Sequence, residues 1–411
     1  MPQPSAPAII VGFETNGLGV ARALRREGIP SISLAGPGWT PSCASWTTKI
    51  TMSSGWNEDA LVNDLIAIGG RLHARAPLLI TKDEPVLWIS ANRAALGEYF
   101  EIVMPEHDTV LLLMDKLRFH SLASERGWPL PRSWLVNDRS ELASLLHEIT
   151  FPCILKPAVK NSEFRRKSPR KAFKAYDARQ LTEAYDLVSS WEPEVVVQEW
   201  IDGGDDRVAF GLGYWNARSQ PLALFPGRKI RQWPPECGNT ALSERAPAEW
   251  RDELASLTAK IYDAVDYRGL GSIEYKVSPG GRLVIMEPTV GRTNYQNEVA
   301  VLNGVNLPAI AYFDGVGMRS DLERMMDRAR QDPRATKLID TPADYRSARF
   351  YIAESRLTWR GWWRSRRGRK RDMLFRLHDP APAIVSSSRA LASFIKHRIL
   401  KPLLRPLLRS R

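Results

Sequence analysis

The sequence predicts a mixed α/β and α+β fold, and three observations carry that reading. Short apolar strands alternate with helical segments over the first hundred residues. Strands then follow one another through the middle of the chain. A turn at Ser278-Pro279-Gly280-Gly281 joins two of them as a hairpin. A chain of 411 residues is too long for one ordinary core, so two or three packed units are expected.

Residues 8–12 read as an apolar strand, and residues 18–27 as a helix with Leu18, Ala21 and Leu24 at helical spacing, stopped by Gly28. Residues 29–34 return as a strand. A helix at 59–68 and a strand at 78–81 extend the parallel pattern. Residues 115–150 read as two helices around Gly127-Trp128-Pro129-Leu130-Pro131. Strands follow at 153–156, 195–201 and 208–215, a helix at 250–265, and the hairpin strands at 271–277 and 282–287. The expected division is a parallel α/β domain over 1–110, an α+β domain over 111–315 with subdomains at about 115–200 and 201–315, and a C-terminal extension over 316–411.

Charge is spread unevenly. The chain carries 58 Lys and Arg against 46 Asp and Glu. Residues 356–411 hold 16 of the basic residues and only two acids, Asp372 and Asp379, leaving the rest nearly neutral. The basic excess thus belongs to the C-terminal region and does not make the whole chain a nucleic-acid binder. Cys43, Cys153 and Cys237 form no CxxC or Cys/His cluster, which argues against zinc and against a disulfide-stapled domain. The run at Ala8-Ile9-Ile10-Val11 is too short for a signal peptide, and no stretch has the roughly 18 apolar residues of a spanning helix. A cytoplasmic setting is expected.

The hairpin offers the first chemistry. With Pro279 and Gly280 at its tip, Glu274 faces Ile285 and Glu287 faces Ser272. The two glutamates then share a face as diagonal neighbours, roughly 7–8 Å apart at Cα. Ile273, Tyr275, Val277, Val284 and Met286 fall on the opposite, core-forming face. Two such carboxylates can share Mg²⁺ with phosphate oxygens, or they can be solvated acids. Lys156, closing the strand at 153–156, can point at an anion or simply snorkel to solvent; Lys116 has the same two readings. Gln198-Glu199-Trp200-Ile201 leads into Asp202-Gly203-Gly204-Asp205-Asp206. A strand running into a Gly/Asp turn can read a purine edge and ribose hydroxyls, and is equally an ordinary turn.

Taken in order, Asp115-Lys116, Ile154-Leu155-Lys156-Pro157, Val197-Gln198-Glu199-Trp200-Ile201, Ser272-Ile273-Glu274-Tyr275-Lys276 and Ile285-Met286-Glu287-Pro288 resemble the ATP-grasp superfamily over roughly residues 8–315. The resemblance implies a pre-ATP-grasp α/β domain followed by an ATP-grasp fold, with ATP and Mg²⁺ as cofactors. It implies that Lys116 and Lys156 contact the nucleotide and that Gln198, Glu199, Trp200, Ile201 and Asp206 form the adenine and ribose site. Glu274 and Glu287 would hold Mg²⁺. The family's usual Asn and Arg after the last glutamate are replaced by Thr289 and Gly291, which leaves Asn294 as a candidate third ligand. Arg231 and Arg292 would stabilise the transferring phosphoryl group.

The loop over residues 159–175 lacks glycine and carries Lys160, Arg165, Arg166, Lys167, Arg170, Lys171 and Lys174. It can close on a triphosphate by charge or remain solvated. Gly12, Gly17 and Gly19 do not make a GxGxxG motif and read as turn glycines. Trp359, Trp362, Trp363 and the amphipathic basic stretch from Arg389 onward suit an anionic membrane surface, or form a basic tail without a specific partner. The resemblance implies an ATP-dependent carboxylate–amine ligase acting on small molecules, with D-aspartate-ligase-like and carbamoyl-phosphate-synthase-like enzymes as comparisons. A nucleotide-binding scaffold is the alternative.

Overall fold

A computed structural model describes residues 6–157, 168, 172–191, 193–236, 238–292, 294–331 and 335–394. The chain divides into two compact units. One comprises Met1–Met114, Val208–Ile273 and Pro288–Arg411, and the other Asp115–Arg207 and Glu274–Glu287.

The first unit opens with β1 (Ala8–Val11), α1 (Thr15–Arg25), β2 (Ser31–Ala35), β3 (Lys49–Met52), α2 (Glu58–Gly69), β4 (Ala76–Ile80), α3 (Asp83–Ala91) and β5 (Phe100–Glu101). The strands pair in the order β3-β2-β1-β4-β5, all parallel. β1 is buried on both faces, as its unbroken apolar run dictates. The β1–α1 glycines are structural. Gly12 has φ +90, and a Cβ on Gly17 would lie 2.3 Å from the Gly12 carbonyl oxygen.

The second unit begins with α4 (Lys116–Glu125), whose N-cap Asp115 accepts hydrogen bonds from the amides of Leu117 and Arg118. It continues with β6 (Ser133–Val136), β7 (Cys153–Pro157), β8 (Phe173–Ala175), α5 (Ala178–Ser189) and β9 (Val195–Glu199). The strands form an antiparallel sheet in the order β6-β9-β7-β8. Leu155, Val195 and Val197 point into this unit's core with Val136, Leu142 and Leu181. β6 lies inside a stretch expected to be helical. Its four residues are too few to reveal a period.

Further along come β10 (Val208–Trp215), β11 (Pro221–Trp233), β12 (Asn239–Arg245), α6 (Ala248–Asp263), β13 (Gly269–Val277), β14 (Leu283–Thr289), α7 (Asn297–Leu302) and α8 (Leu307–Gly315). After them stand β15 (Thr336–Ile339), α9 (Thr341–Ala353), α10 (Trp359–Ser365), β16 (Arg369–Asp372) and α11 (Ala381–Phe394). The sheet runs β14-β13-β10-β11-β12-β15-β16. The first unit's core includes Ile10, Leu18, Phe210, Phe225, Ile310 and Met373. The basic C-terminal region is therefore folded through residue 394. β16 pairs in parallel with β15, and Asp379 accepts from the buried Arg22 of α1. Residues 395–411, which carry most of the expected amphipathic stretch, lie outside the described residues. Among the described residues no helix is long and apolar enough to cross a membrane.

Candidate nucleotide and substrate site

Strand alternation in the second unit sorts the side chains. Cys153 and Leu155 of β7 turn to the core, so Lys156 faces the other side together with Gln198 of β9, its diagonal neighbour. Lys156 Nζ donates to Gln198 Oε1 at 3.0 Å, and Gln198 Nε2 donates to Ser133 Oγ at 2.9 Å. The polar row Lys156–Gln198–Ser133 thus crosses three strands. Glu199 ends β9. Its carboxylate accepts from the Arg132 amide at 3.1 Å and lies 3.6 Å from the Arg282 guanidinium. Trp200 has the Lys174 ammonium over its ring, 3.8 Å from the centroid. Ile201 is buried. The following turn is held by Lys276, whose ammonium donates to the carbonyls of Gly203 and Gly204 at 2.8 Å each. Asp206 stands exposed beside it.

Lys116 begins α4 and its ammonium lies 3.8 Å from Glu287 Oε2, both side chains more than half exposed. Glu274 is half-buried. The expected hairpin register needs correction at the turn. Gly281 N–H donates to Ser278 O at 2.9 Å, and Ser278 N–H donates to Arg282 O at 2.9 Å. Gly281 has φ +86, so a bulge glycine adds one residue to the turn. Ser278 then faces Arg282, where the expected register had Gly281. Ile273, Tyr275, Val277 and Val284 are buried as expected, whereas Met286 is 42% exposed.

The remaining expected residues belong to the first unit. Arg231 is buried on β11, and Asp344 of α9 holds it. Arg231 Nε donates to Asp344 Oδ1 at 2.6 Å and its Nη1 to Ser365 Oγ at 2.7 Å. Trp362 Nε1 donates to the other Asp344 oxygen at 2.8 Å. Arg292 pairs with Asp83, and Asn294 Nδ2 donates to Ser272 Oγ at 3.3 Å. Arg292 and Asn294 line one small cavity of about 10 Å³, room for about one water, with Ser272, Asn297 and neighbouring residues. Of the basic loop, Lys174 alone falls among the described residues; Lys160, Arg165, Arg166, Lys167, Arg170 and Lys171 lie outside them, as does Cys237.

The structure adds residues that spacing could not supply. Ser133 sits on a strand too short to recognise. His120 of α4 lies in a groove lined by Trp128, Arg132, Ser133 and Trp134. Burial pushes the His120 imidazole below its ordinary range. The charge of Lys156 acts the same way, against a hydrogen bond with the Pro131 backbone.

No protein-family model matches the chain. A D-alanine–D-alanine ligase of Pseudomonas putida (strain GB-1) is 27% identical over 187 residues, 43% of this chain and 54% of that protein. The chain thus spans about half the length of the curated relatives it matches. The fold resembles a phosphoribosylglycinamide synthetase from Anaerococcus prevotii, at TM-score 0.61 and 13% identity over 81% of this chain and 80% of that one. It also resembles a biotin carboxylase–βγ-ATP complex from Campylobacter jejuni, at TM-score 0.58 and 14% identity over 76% and 71% of the two chains. The likeness to these structures shows the fold, an N-terminal parallel domain followed by an ATP-grasp fold.

Proposed function

We propose that the chain is an ATP-dependent ligase that converts a carboxylate to an acyl phosphate and couples it to an amine, releasing ADP and phosphate. The observation that carries this reading is the likeness to D-alanine–D-alanine ligase on an ATP-grasp fold. The polar row of the second unit supports it. Lys156 and Lys116 supply cations for phosphate oxygens, while Gln198, Glu199, Trp200, Ile201 and Asp206 hold the adenosine.

Glu274 and Glu287 would hold Mg²⁺, with Asn294 as a further candidate. Among the described residues no three His, Cys, Asp or Glu side chains gather as a ready metal cage. Mg²⁺ asks for none, because one or two carboxylates with substrate phosphates and water satisfy it. One exposed and one half-buried glutamate fit that donor set. When bound, the ion neutralises phosphate charge. Arg292 is the arginine proposed to face the acyl phosphate. Arg231 is assigned a positioning role, because Asp344 and Ser365 occupy its guanidinium.

Thermal unfolding with ATP, ADP or NAD, each with and without Mg²⁺, tests the premise. Nucleotide at about 100 times Kd adds roughly 2.7 kcal/mol, read as a shift of several degrees. A Mg²⁺-dependent shift with ATP is expected. A shift with NAD alone would sink the ligase reading. ATP binding without ADP release, for any acid and amine pair, would favour the scaffold alternative.

The finer reading is a cytoplasmic enzyme at the inner membrane surface, D-aspartate-ligase-like and acting on envelope or polysaccharide precursors. Its support is α10, where Trp359 and Trp363 are 47% and 63% exposed beside exposed Arg360 and Arg364. Truncation before β16 is no clean test, since it would strip the buried Arg22 of Asp379. Sedimentation of the full chain with phosphatidylcholine–phosphatidylglycerol vesicles, against a Trp359→Ser/Trp363→Ser variant and a chain ending at Phe394, separates the helix from the tail. Equal binding by all three, or none by the full chain, overturns the membrane reading.

A further inference from the structure

Between β16 and α11 the chain turns two charged side chains inward and its apolar ones outward. Arg376 is buried against Glu298 and Asp379 against Arg22, and Ser45 Oγ donates to Asp379 Oδ2 at 2.9 Å. The backbone is therefore held in place, yet Phe375 is exposed and Leu377 is 88% exposed. α11 continues the pattern. Ile384 and Leu391 stand seven residues apart, and so on one helix face, at 59% and 60% exposure. The segment after β2 lies beside them. α11 packs on the turn at Pro41–Ala44, and Trp46 Nε1 donates to His378 O at 2.9 Å. The Arg389 guanidinium lies 4.8 Å from the centre of the Trp39 ring. Trp39 and Trp46 are themselves exposed. Six large apolar side chains thus share one surface. Single ones scattered over a protein need no explanation, but a group of them does.

We infer that this surface, formed by α11, the segment before it and the two tryptophans, is where the protein meets an anionic lipid bilayer. The inference rests on the membrane reading above and gives it a docking face other than α10. Charge selects the occupant. From Pro380 to Arg411 the sequence holds seven Lys and Arg and no Asp or Glu. The 17 residues beyond α11 carry six of those cations, interleaved with seven Ile and Leu. A second copy docked on the same face would set like charges against each other with no acid to pair them. Anionic headgroups supply the missing counter-charge. The apolar side chains then leave water at the boundary between headgroups and acyl chains. Tryptophan suits that level, with an apolar body and one polar N–H.

Sedimentation with phosphatidylcholine–phosphatidylglycerol vesicles tests it on the full chain. The wild type is compared with Leu377→Ser/Ile384→Ser/Leu391→Ser, and with Leu187→Ser as an exposed leucine of the second unit. All four side chains are exposed, so each variant should keep the wild-type Tm without vesicles. The triple variant should lose on the order of a hundredfold in vesicle affinity, since three aliphatic side chains no longer leave water. Leu187→Ser should bind as the wild type does, and the wild type should bind pure phosphatidylcholine more weakly than the mixed vesicles. If the wild type and the triple variant bind equally, the inference fails and the membrane reading stands, carried elsewhere. If the wild type does not bind, both fail, and the ligase reading is untouched. A wild type that is dimeric in analytical ultracentrifugation without binding vesicles, with a monomeric triple variant, also overturns it, by assigning the face to a second copy.

Discussion

The two units use charge in opposite ways. In the first, charges are paired inside. Arg22 and Asp379 are 4% and 0% exposed at 2.8 Å, and the Arg231–Asp344 pair is 5% and 0% exposed at 2.6 Å. Arg376 and Glu298 form a third such pair. In the second unit the charges of interest are open to water, with Lys116 and Glu287 at 3.8 Å and 63% and 59% exposed. Burying ions is worthwhile only when their partners are fixed, so the first unit's pairs join distant segments: α1 to the region after β16, and β11 to α9. An exposed pair contributes little to stability and can exchange its partner for a ligand. The comparison separates charges that hold the fold from charges available for chemistry.

The largest effect expected from this contrast is at Asp344. Asp344→Ala leaves the Arg231 guanidinium buried and uncompensated, and should destabilise by about 3–5 kcal/mol in urea denaturation. Arg231→Met combined with Asp344→Leu should recover most of that loss, because two apolar groups of similar size need no partner. A small loss in Asp344→Ala would mean that Ser365 alone can satisfy Arg231, and the first half of the comparison would fall.

The sequence carried the local elements well and the long-range partners poorly. β1, α1, β2, α2 and β4 were readable because their apolar runs match a strand or helix period and their glycines mark the ends. β11 and β12 were not. β11 spans 13 residues and buries Lys229, Arg231 and Gln232, so polar letters concealed a strand interior. The segment around Arg231 looked like a free cationic site because its partner Asp344 lies more than a hundred positions away. The basic C-terminal region misled for the same reason. β16 is exposed and charged, and only its pairing with β15 makes it a strand. For the candidate site, motif order brought forward Lys156, Gln198 and Glu199, which the sheet indeed places on neighbouring strands. Ser133 and His120 had no periodic or motif signal. Hairpin register was beyond reach as well, since a bulge at Gly281 depends on a backbone choice that the letters Pro-Gly-Gly do not fix.

A second, functional effect is expected at Glu287. Glu287→Gln removes charge from an exposed carboxylate, so its denaturation midpoint should stay within about 0.5 kcal/mol of wild type. Under the ligase reading, ADP release with a productive acid and amine should fall by on the order of a hundredfold, the scale of losing one preorganised electrostatic contact. Retained turnover would remove Glu287 from the metal set.

The smallest effect, and the sharpest check on the comparison, is at Lys116. As half of an exposed ion pair it should contribute less than about 1 kcal/mol, so Lys116→Ala should unfold almost where the wild type does. If Lys116 serves the nucleotide, the Mg²⁺-dependent thermal shift with ATP shrinks in the variant while the nucleotide-free midpoint does not move. If the nucleotide-free midpoint drops by several kcal/mol and the ATP shift is intact, Lys116 and Glu287 hold the second unit together. The distinction between structural and available charge would then fail where exposure makes it look safest.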